Sequence, residues 1–202
     1  MMRQLKYNHS SFLIGVVFLA SIVVGITKPF PTEKYESPIM SLTGKSAVLS
    51  DGKEIKWDPE NGGFTIVLVR HAEKVDESDD PELSDIGKDR AERLAQILKR
   101  YNASMIYSTD YKRTKGTVNP YITNARIPLQ IYEVSKQSDL KTMIKQKFVV
   151  NSIVVGHSNS IPKLINEIAG LNINDFEANE YGNLIVIKTD LEKKGKVYFF
   201  NY

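Results

Sequence analysis

The sequence predicts an α/β protein, a three-layer α/β/α sandwich around a mostly parallel mixed sheet. Three observations support this fold class. Short apolar runs rich in β-branched residues, which suit buried strands, recur along the chain. Segments with one apolar stripe, typical of helices of roughly 10 to 15 residues, separate these runs. The last two runs, at 184–187 and 196–200, are joined through Lys194-Gly195 and are predicted to pair antiparallel at the end of the sheet.

Composition limits the classes of function that the chain can serve. Its 202 residues are 42% hydrophobic and 25% charged, which is ordinary for a globular protein with one large core. The 27 basic residues are interspersed with 24 acidic ones, so the net charge of +3 gives little support to nucleic acid as a partner. Cysteine is absent, which excludes disulfides, thiolate metal sites and cysteine nucleophiles.

Residues 1–27 are predicted to be a membrane-targeting segment. Arg3 and Lys6 precede an uncharged, apolar stretch at 11–26. This stretch exceeds a typical signal-peptide core and falls short of the roughly 20 residues that a membrane-spanning helix prefers. A cleaved signal peptide and an uncleaved anchor both stay open, and we favour the anchor slightly because the cleavage pattern is weak. The basic residues predict a cytoplasmic N-terminus, with the rest of the chain outside the cytoplasm, periplasmic or extracellular.

Residues 28–60 are predicted to be a tether that carries a small hairpin. Three prolines and a glycine among polar residues at 28–44 indicate a segment without a core of its own. The Asp51-Gly52 turn, which lies between two short strand-like segments, predicts the hairpin. Trp57 is expected to be a packing residue. The remaining residues, 61–202, are predicted to form one domain.

The first strand of that domain is predicted at 64–69. It is a continuous apolar run after a Gly-Gly turn signal, which suits a strand buried on both faces. The chain then changes abruptly to Arg70-His71, at the carboxyl end of the strand, where open α/β sheets bind ligands. The acidic residues at 75–82 lack the EF-hand spacing of calcium ligands, so we expect a solvated loop there.

The later elements follow from apolar periodicity and from helix caps. A helix is predicted from Ser84 to about residue 100, with apolar residues three and four positions apart. The helix that carries Arg113 is predicted to be interrupted at Asn119-Pro120, because proline lacks an amide hydrogen. A helix from about residue 161 is predicted to end at Gly170. The other elements are strands at 103–107, 127–132 and 152–155 and a short helix through Leu140, Ile144 and Phe148.

Four basic side chains follow the ends of predicted strands. They are Arg70, His71, Arg113 and His157. Right-handed crossovers put the carboxyl ends of parallel strands at one edge of the sheet, so these groups are expected to converge. Arginine offers paired donors matched to phosphate, and imidazole is a recognised nucleophile toward phosphorus. No carboxylate cluster accompanies them, so a magnesium site is not predicted.

Four ordered segments carry a resemblance to a known family. They read Val-Arg-His-Ala-Glu-Lys at 69–74, Leu-Ser-Asp-Ile-Gly at 83–87, Tyr-Ser-Thr-Asp-Tyr-Lys-Arg-Thr at 107–114 and Val-Gly-His-Ser-Asn at 155–159. In this order and strand-helix context the chain resembles the histidine phosphatase superfamily, also called phosphoglycerate-mutase-like, over about residues 64–190. The resemblance implies the phosphoglycerate-mutase-like version of the α/β sandwich.

The same resemblance implies roles for individual residues. His71 would be the phosphorylated nucleophile, and Arg70, Arg113 and His157 would bind the phosphoryl group. Family members often place an acidic proton donor after the strand that follows the second arginine, which indicates Glu133. Asp139 and Glu73 stay open as alternatives.

The expected function is metal-independent hydrolysis of a phosphomonoester through a phosphohistidine intermediate, with no cofactor. The chain lacks the long insertions of the mutase and phytase branches, so the resemblance favours a small phosphatase acting on a small phosphorylated substrate. A non-catalytic phosphate- or phosphopeptide-binding module with the same pocket is the alternative. Substrate specificity is expected from the loops at 75–82 and 171–182, which contain nothing diagnostic.

Overall fold

The structure is a computed structural model that describes residues 29–57, 63–136, 140, 142, 144, 150–191 and 195–202. The predicted targeting segment at 1–27 lies outside these residues, as does Phe148 of the predicted short helix. Within the described ranges, no helix is both long enough and apolar enough to cross a membrane.

The described residues form a mixed central sheet of seven strands. These strands are Thr32–Lys34 (β1), Phe64–Arg70 (β5), Met105–Ser108 (β6), Leu129–Ile131 (β7), Ser152–Gly156 (β8), Asn183–Thr189 (β9) and Gly195–Asn201 (β10). Their order in the sheet is β1-β10-β9-β5-β8-β6-β7. Strand β5 lies at its centre with all seven residues buried. It pairs parallel with β8 and antiparallel with β9, while β6 and β7 extend the parallel part.

Helices cover both faces of the sheet, because successive residues of a buried strand point to opposite sides. Val67 and Val69 of β5 pack in one cluster with helices α1 (Asp85–Leu98) and α2 (Lys112–Ala125). Ile66 and Leu68 pack in a second cluster with helix α3 (Ser160–Ala169) and with Leu140 and Ile144. The predicted α/β/α layering around a mostly parallel sheet is therefore confirmed.

Helix α1 begins where the sequence predicts. The Ser84 side chain accepts a hydrogen bond from the Gly87 amide at 3.1 Å, which satisfies one of the free amides of the first turn. Gly87 also lies directly against the main chain of Glu73, since a Cβ there would be 2.1 Å from the Glu73 carbonyl oxygen. This close approach fixes the start of α1 against the residues that follow β5.

The predicted interruption of helix α2 at Pro120 is wrong. The helix runs without a break from Lys112 to Ala125 and includes the proline. Proline at this position gives up one hydrogen bond to the carbonyl of Gly116, four residues earlier. Val118 and Tyr121 are buried against the sheet, and this packing holds the helix together across the missing bond.

Residues 29–57 are part of the fold, so the prediction of a tether without a core needs correction. Strand β1 pairs parallel with β10 and forms one edge of the central sheet. Ile39 and Leu42 are buried in the same cluster as α1. The predicted hairpin is confirmed as β3 and β4, and a further strand adds to it. This second sheet consists of Ile39–Leu42 (β2), Ser46–Leu49 (β3) and Glu54–Lys56 (β4).

Candidate active site

The four predicted basic residues meet at the carboxyl edge of the central sheet. Arg70 ends β5 and stands in register with Gly156, the last residue of the neighbouring strand β8. The His71 amide donates to the Gly156 carbonyl at 2.9 Å, so His71 and His157 leave the sheet side by side. Their ring centroids are 5.4 Å apart. Arg113 comes from the first turn of α2, and all four side chains line one cavity of about 670 Å³.

The His71 ring is buried and has a defined hydrogen position. Its Nδ1 lies 2.8 Å from the carbonyl oxygen of Ala72, and because a carbonyl only accepts, Nδ1 carries the hydrogen. The lone pair of the neutral ring is then on Nε2. Burial, together with the charges of His157, Arg70 and Arg113, lowers the pKa of His71 to about 3 against the opposing effect of the Ala72 hydrogen bond. The imidazole is therefore neutral at physiological pH.

Three carbonyl groups hold the Arg70 guanidinium. Nη1 donates to Glu177 O and Glu180 O, both at 2.8 Å, and Nη2 donates to Ala178 O at 2.9 Å. The ring of Tyr181 stacks on the guanidinium at 4.1 Å. Of the five N–H groups, Nε–H is buried without a hydrogen-bond partner among the described residues, and one hydrogen of Nη2 remains. Two of its N–H groups are thus not used by these carbonyls, and paired guanidinium donors can match two oxygens of a phosphoryl group.

Arg113 is held by different neighbours. Its guanidinium lies over the Tyr111 ring at 4.2 Å. Its Nη1 donates to the Asp79 carbonyl at 3.2 Å and is 3.9 Å from a carboxylate oxygen of Asp80. Only 15% of the side chain is exposed. The cation is therefore confined near the two imidazoles.

The His157 ring is braced by the residues between β6 and α2. Thr109 donates its hydroxyl hydrogen to Thr114 Oγ1 at 3.0 Å, so the Thr109 oxygen can accept from His157 Nε2, also at 3.0 Å. The edge of the Tyr111 ring meets the imidazole at a centroid distance of 5.1 Å. Burial and the charges of Arg113 and Arg70 lower the pKa of His157 to about 4.

Sequence reasoning missed the residues that hold the basic groups in place. Thr109 and Tyr111 lie inside the segment at 107–114, so a closer reading of that motif could have found them. Tyr181 lies in a loop without a recognisable pattern. The carbonyl groups around Arg70 leave no trace in the sequence, because every residue type supplies one.

The predicted proton donor lies away from these groups. Glu133 is exposed and is not among the residues that line the cavity. The Glu73 carboxylate accepts a hydrogen bond from Arg90 at 2.6 Å. Burial alone would raise the pKa of Glu73, but the contact with Arg90 lowers this pKa. Asp139 lies outside the described residues. Two other carboxylates, Glu77 and Asp175, line the cavity.

No cluster of three or more His, Cys, Asp or Glu side chains within the described ranges could hold a metal ion. The metal independence expected from the sequence stays a prediction.

Three solved structures have a fold similar to that of this chain. The protein histidine phosphatase SixA in complex with tungstate is 16% identical, with a TM-score of 0.57 over 68% of this chain and 96% of that one. A putative alpha-ribazole-5'-P phosphatase from Escherichia coli K-12 is 12% identical, with a TM-score of 0.58 over 70% and 97%. The mycobacterial glucosyl-3-phosphoglycerate phosphatase with inorganic phosphate is 13% identical, with a TM-score of 0.57 over 68% and 97%.

At these identities the similarity concerns the fold, and it confirms the predicted phosphoglycerate-mutase-like sandwich. No curated protein sequence matches the chain. Residues 66–141 match the family model described as histidine phosphatase superfamily, branch 1. This range contains most of β5, the Arg70-His71 pair, α1 and Arg113, while His157 lies beyond it. The match shows that this part of the chain is similar to the histidine phosphatase superfamily, and the shared fold agrees with that similarity.

Proposed function

We propose that the protein is a phosphomonoester hydrolase that works through a phosphohistidine at His71. The observation that carries the proposal is the presence in one cavity of a neutral imidazole, with its lone pair on Nε2, and the Arg70 guanidinium, two of whose N–H groups are not used by the carbonyls that hold it. Arg113 and His157 complete the ring of basic groups around the same cavity. Such an arrangement supports charge on the equatorial oxygens of a phosphoryl group in transfer.

The proposed reaction has two displacements at phosphorus. In the first, a bond forms between His71 Nε2 and phosphorus while the ester P–O bond breaks and the leaving oxygen gains a proton. In the second, water attacks the phosphohistidine, the N–P bond breaks, and inorganic phosphate and neutral His71 are restored. Arg70 and Arg113 bind the phosphoryl oxygens in both steps. His157 joins them when the negative charge of the bound phosphoryl group raises its pKa and Nδ1 gains a proton.

Activity against p-nitrophenyl phosphate in the presence of a metal chelator tests this mechanism. We expect turnover by the wild-type chain and a loss of about a thousandfold or more in His71→Ala, since the nucleophile is removed. Rapid base quenching should trap a phosphoryl group on the protein, and later acid treatment should release it, as expected of a phosphoramidate. Turnover that depends entirely on an added divalent metal, or full activity of His71→Ala, would reject the mechanism.

The presence or absence of a proton donor in the site distinguishes two candidate functions. Glu133 is proposed as the donor from the family pattern, whereas Glu77 and Asp175 are the carboxylates that line the cavity. The exposed location of Glu133 favours the second candidate, a phosphate- or phosphopeptide-binding module that binds without turnover. An enzyme should hydrolyse an alkyl phosphate, whose leaving group needs a proton, as well as p-nitrophenyl phosphate.

The variants Glu133→Gln, Glu77→Gln and Asp175→Asn then locate the donor. Its loss should slow the alkyl ester far more than the p-nitrophenyl ester. Tight phosphate binding with no turnover of either ester would favour the binding module.

The substrate is proposed to be a small phosphorylated compound. The similar structures are named for a phosphorylated histidine in protein, for alpha-ribazole phosphate and for glucosyl-3-phosphoglycerate, which share only the phosphoryl group. A panel of phosphate esters and phosphohistidine peptides is the direct test. We also propose that residues 1–27 anchor the chain with its enzyme domain outside the cytoplasm. Digestion by protease added to intact spheroplasts would support this orientation, and protection would reject it.

A further inference from the structure

The acidic loop, residues 75–82, is closed at its base by antiparallel contacts. Lys74 and Leu83 form a β-bridge, and the Val75 amide donates to Glu82 O at 3.0 Å. The Ser84 amide donates to Glu73 O at 2.9 Å, which ties the same base to the start of α1. The loop is thus attached to the segment that carries His71, and its tip reaches toward α2.

The tip of the acidic loop caps helix α2. Tyr111 occupies the N-cap position, but its side chain makes no capping hydrogen bond. A carboxylate oxygen of Asp80 accepts from the Lys112 amide at 2.8 Å instead. A carboxylate at this position satisfies a free amide and also interacts favourably with the positive end of the helix. The cap comes from a residue 32 positions earlier in the chain.

The same carboxylate oxygen lies beside the Arg113 guanidinium. It is 3.9 Å from Nη1, which also donates to the carbonyl of Asp79 at 3.2 Å. The Asp80 side chain is 43% exposed, so the charge attraction by itself is screened by solvent. The distance also leaves the other donors of Arg113 available to a ligand. Asp80 therefore acts mainly by fixing the backbone from which Arg113 extends and by limiting where its guanidinium can move.

We propose that Asp80 is a positioning residue that holds Arg113 toward the phosphoryl group. The proposal rests on the function proposed above, because it assumes that Arg113 binds a phosphoryl group. Asp80 does not line the cavity, so its contribution reaches the ligand through α2 and Arg113.

Two substitutions at Asp80 and one control separate capping from charge. Asp80→Ala removes both the cap and the carboxylate, while Asp80→Asn keeps an oxygen that can accept from Lys112 and loses the charge. Asp76→Ala is the matched control, because Asp76 lies in the same loop but its carboxylate accepts from Ser78 and from no residue of α2.

Affinity for inorganic phosphate, measured by calorimetry, is the first readout. For Asp80→Ala we expect an increase of about tenfold in the dissociation constant, the size of a lost helix cap combined with a displaced arginine. Asp80→Asn should fall between this variant and wild type, and Asp76→Ala should match wild type. Equal affinities for Asp80→Ala and Asp76→Ala would overturn the proposal.

The second readout is the pKa of His157, followed by NMR, which needs neither ligand nor turnover. The charge of Arg113 lowers this pKa, so it should rise when Arg113 leaves its place in Asp80→Ala. An unchanged pKa in folded Asp80→Ala would overturn the proposal. If wild type neither binds phosphate nor turns over esters, the proposed function fails, and the His157 pKa still decides whether Asp80 positions Arg113. Should Asp80→Ala not fold, Asp80→Asn, which keeps the cap and loses the charge, is compared with Asp76→Ala instead, and equal phosphate affinities of these two variants would overturn the proposal.

Discussion

The two arginines of the site are each held by one loop and one tyrosine. The 177–181 segment holds Arg70 through carbonyl groups and Tyr181, and the acidic loop with Tyr111 holds Arg113. The sequence suggested that both loops set substrate specificity. Their contacts show that they also orient the charges on which phosphate binding would depend.

Replacing Arg70 by lysine should be damaging although the charge is kept. The three donors of lysine radiate from one atom, so once they satisfy the three carbonyls none is left for phosphate. We expect Arg70→Lys to lower kcat/KM for p-nitrophenyl phosphate by about ten- to a hundredfold. Arg93→Lys, on the exposed face of α1, is the control and should have no effect. Retention of full activity by Arg70→Lys would contradict this assignment.

The lowered pKa of His71 predicts how activity depends on pH. A histidine with an ordinary pKa would be about 3% neutral at pH 5, so its activity as a nucleophile would fall about thirtyfold from pH 8. With a pKa of about 3, His71 stays neutral at pH 5. We therefore expect kcat/KM, which reports the ionisation of the free enzyme, to show no acid limb with a midpoint near 6.5. Such a limb in a kcat/KM profile measured between pH 4.5 and 8, which His71 protonation would cause, contradicts the prediction.

At the scale of single elements, two helical glycines look alike in sequence but differ in their surroundings. A Cβ on Gly87 of α1 would meet the Glu73 carbonyl oxygen at 2.1 Å, whereas one on Gly116 of α2 would meet the Leu83 side chain at 3.2 Å. A main-chain oxygen at the end of β5 cannot move without moving the residues next to it. A leucine side chain can adjust.

Alanine at the two positions should have different effects on stability. We expect Gly87→Ala to lower the free energy of unfolding by about 1 to 3 kcal/mol, as overpacking does, and to reduce activity because His71 is close. Gly116→Ala should change it by less than about 1 kcal/mol, since gained helix propensity offsets a small adjustment of Leu83. Urea unfolding of both variants measures the difference. Equal unfolding free energies would show that α1 does not depend on the close approach at Gly87.

The elements that could be predicted from sequence are those whose pattern is local. Strands β5 and β8 are buried on both faces, and such strands appear as continuous apolar runs that end visibly at Arg70 and at Gly156. The Ser84 cap and the end of α3 at Gly170 were predictable for the same reason. Strand β1 was not, because its three residues, Thr-Glu-Lys, carry no apolar alternation and gain their partner from the far end of the chain.

The same distinction between local and non-local sequence patterns applies to the residues of the candidate site. His71 and His157 were predictable because each follows a buried strand, and Arg113 because it lies in a motif. The supporting contacts of Arg70 and Arg113 were not, since they come from carbonyl groups and from a loop carboxylate that reads as solvated. Pro120 was misread because local propensity favoured a break that packing against the sheet overrides.

For the whole molecule, His71, which is buried, and His157, which is partly buried, make stability depend on pH. In the unfolded chain both take up protons near pH 6.5, whereas in the folded protein their pKa values are lowered to about 3 and about 4. Below pH 6.5 the unfolded state therefore binds more protons, and the free energy of unfolding should fall as pH falls toward 4. The slope approaches about 1.4 kcal/mol per pH unit for His71 and is smaller for His157, whose ring is partly exposed to solvent.

Urea titrations at pH 7 and pH 5 test this dependence. His71→Gln and His157→Gln should each show a smaller loss of stability between the two pH values than wild type. The comparison with wild type removes the contribution of the carboxylates, which are the same in all three proteins. A loss as large in both variants as in wild type would contradict the prediction.

The path of the main chain supplies much of the order in this site. Arg70 is held by the carbonyls of Glu177, Ala178 and Glu180, and the His71 hydrogen is directed by the carbonyl of Ala72. No side-chain replacement at these four positions deletes such an oxygen. Inserting or removing a single residue between 176 and 181 would shift all three acceptors at once. Relatives of this protein should therefore tolerate different residue types in that segment while keeping its length.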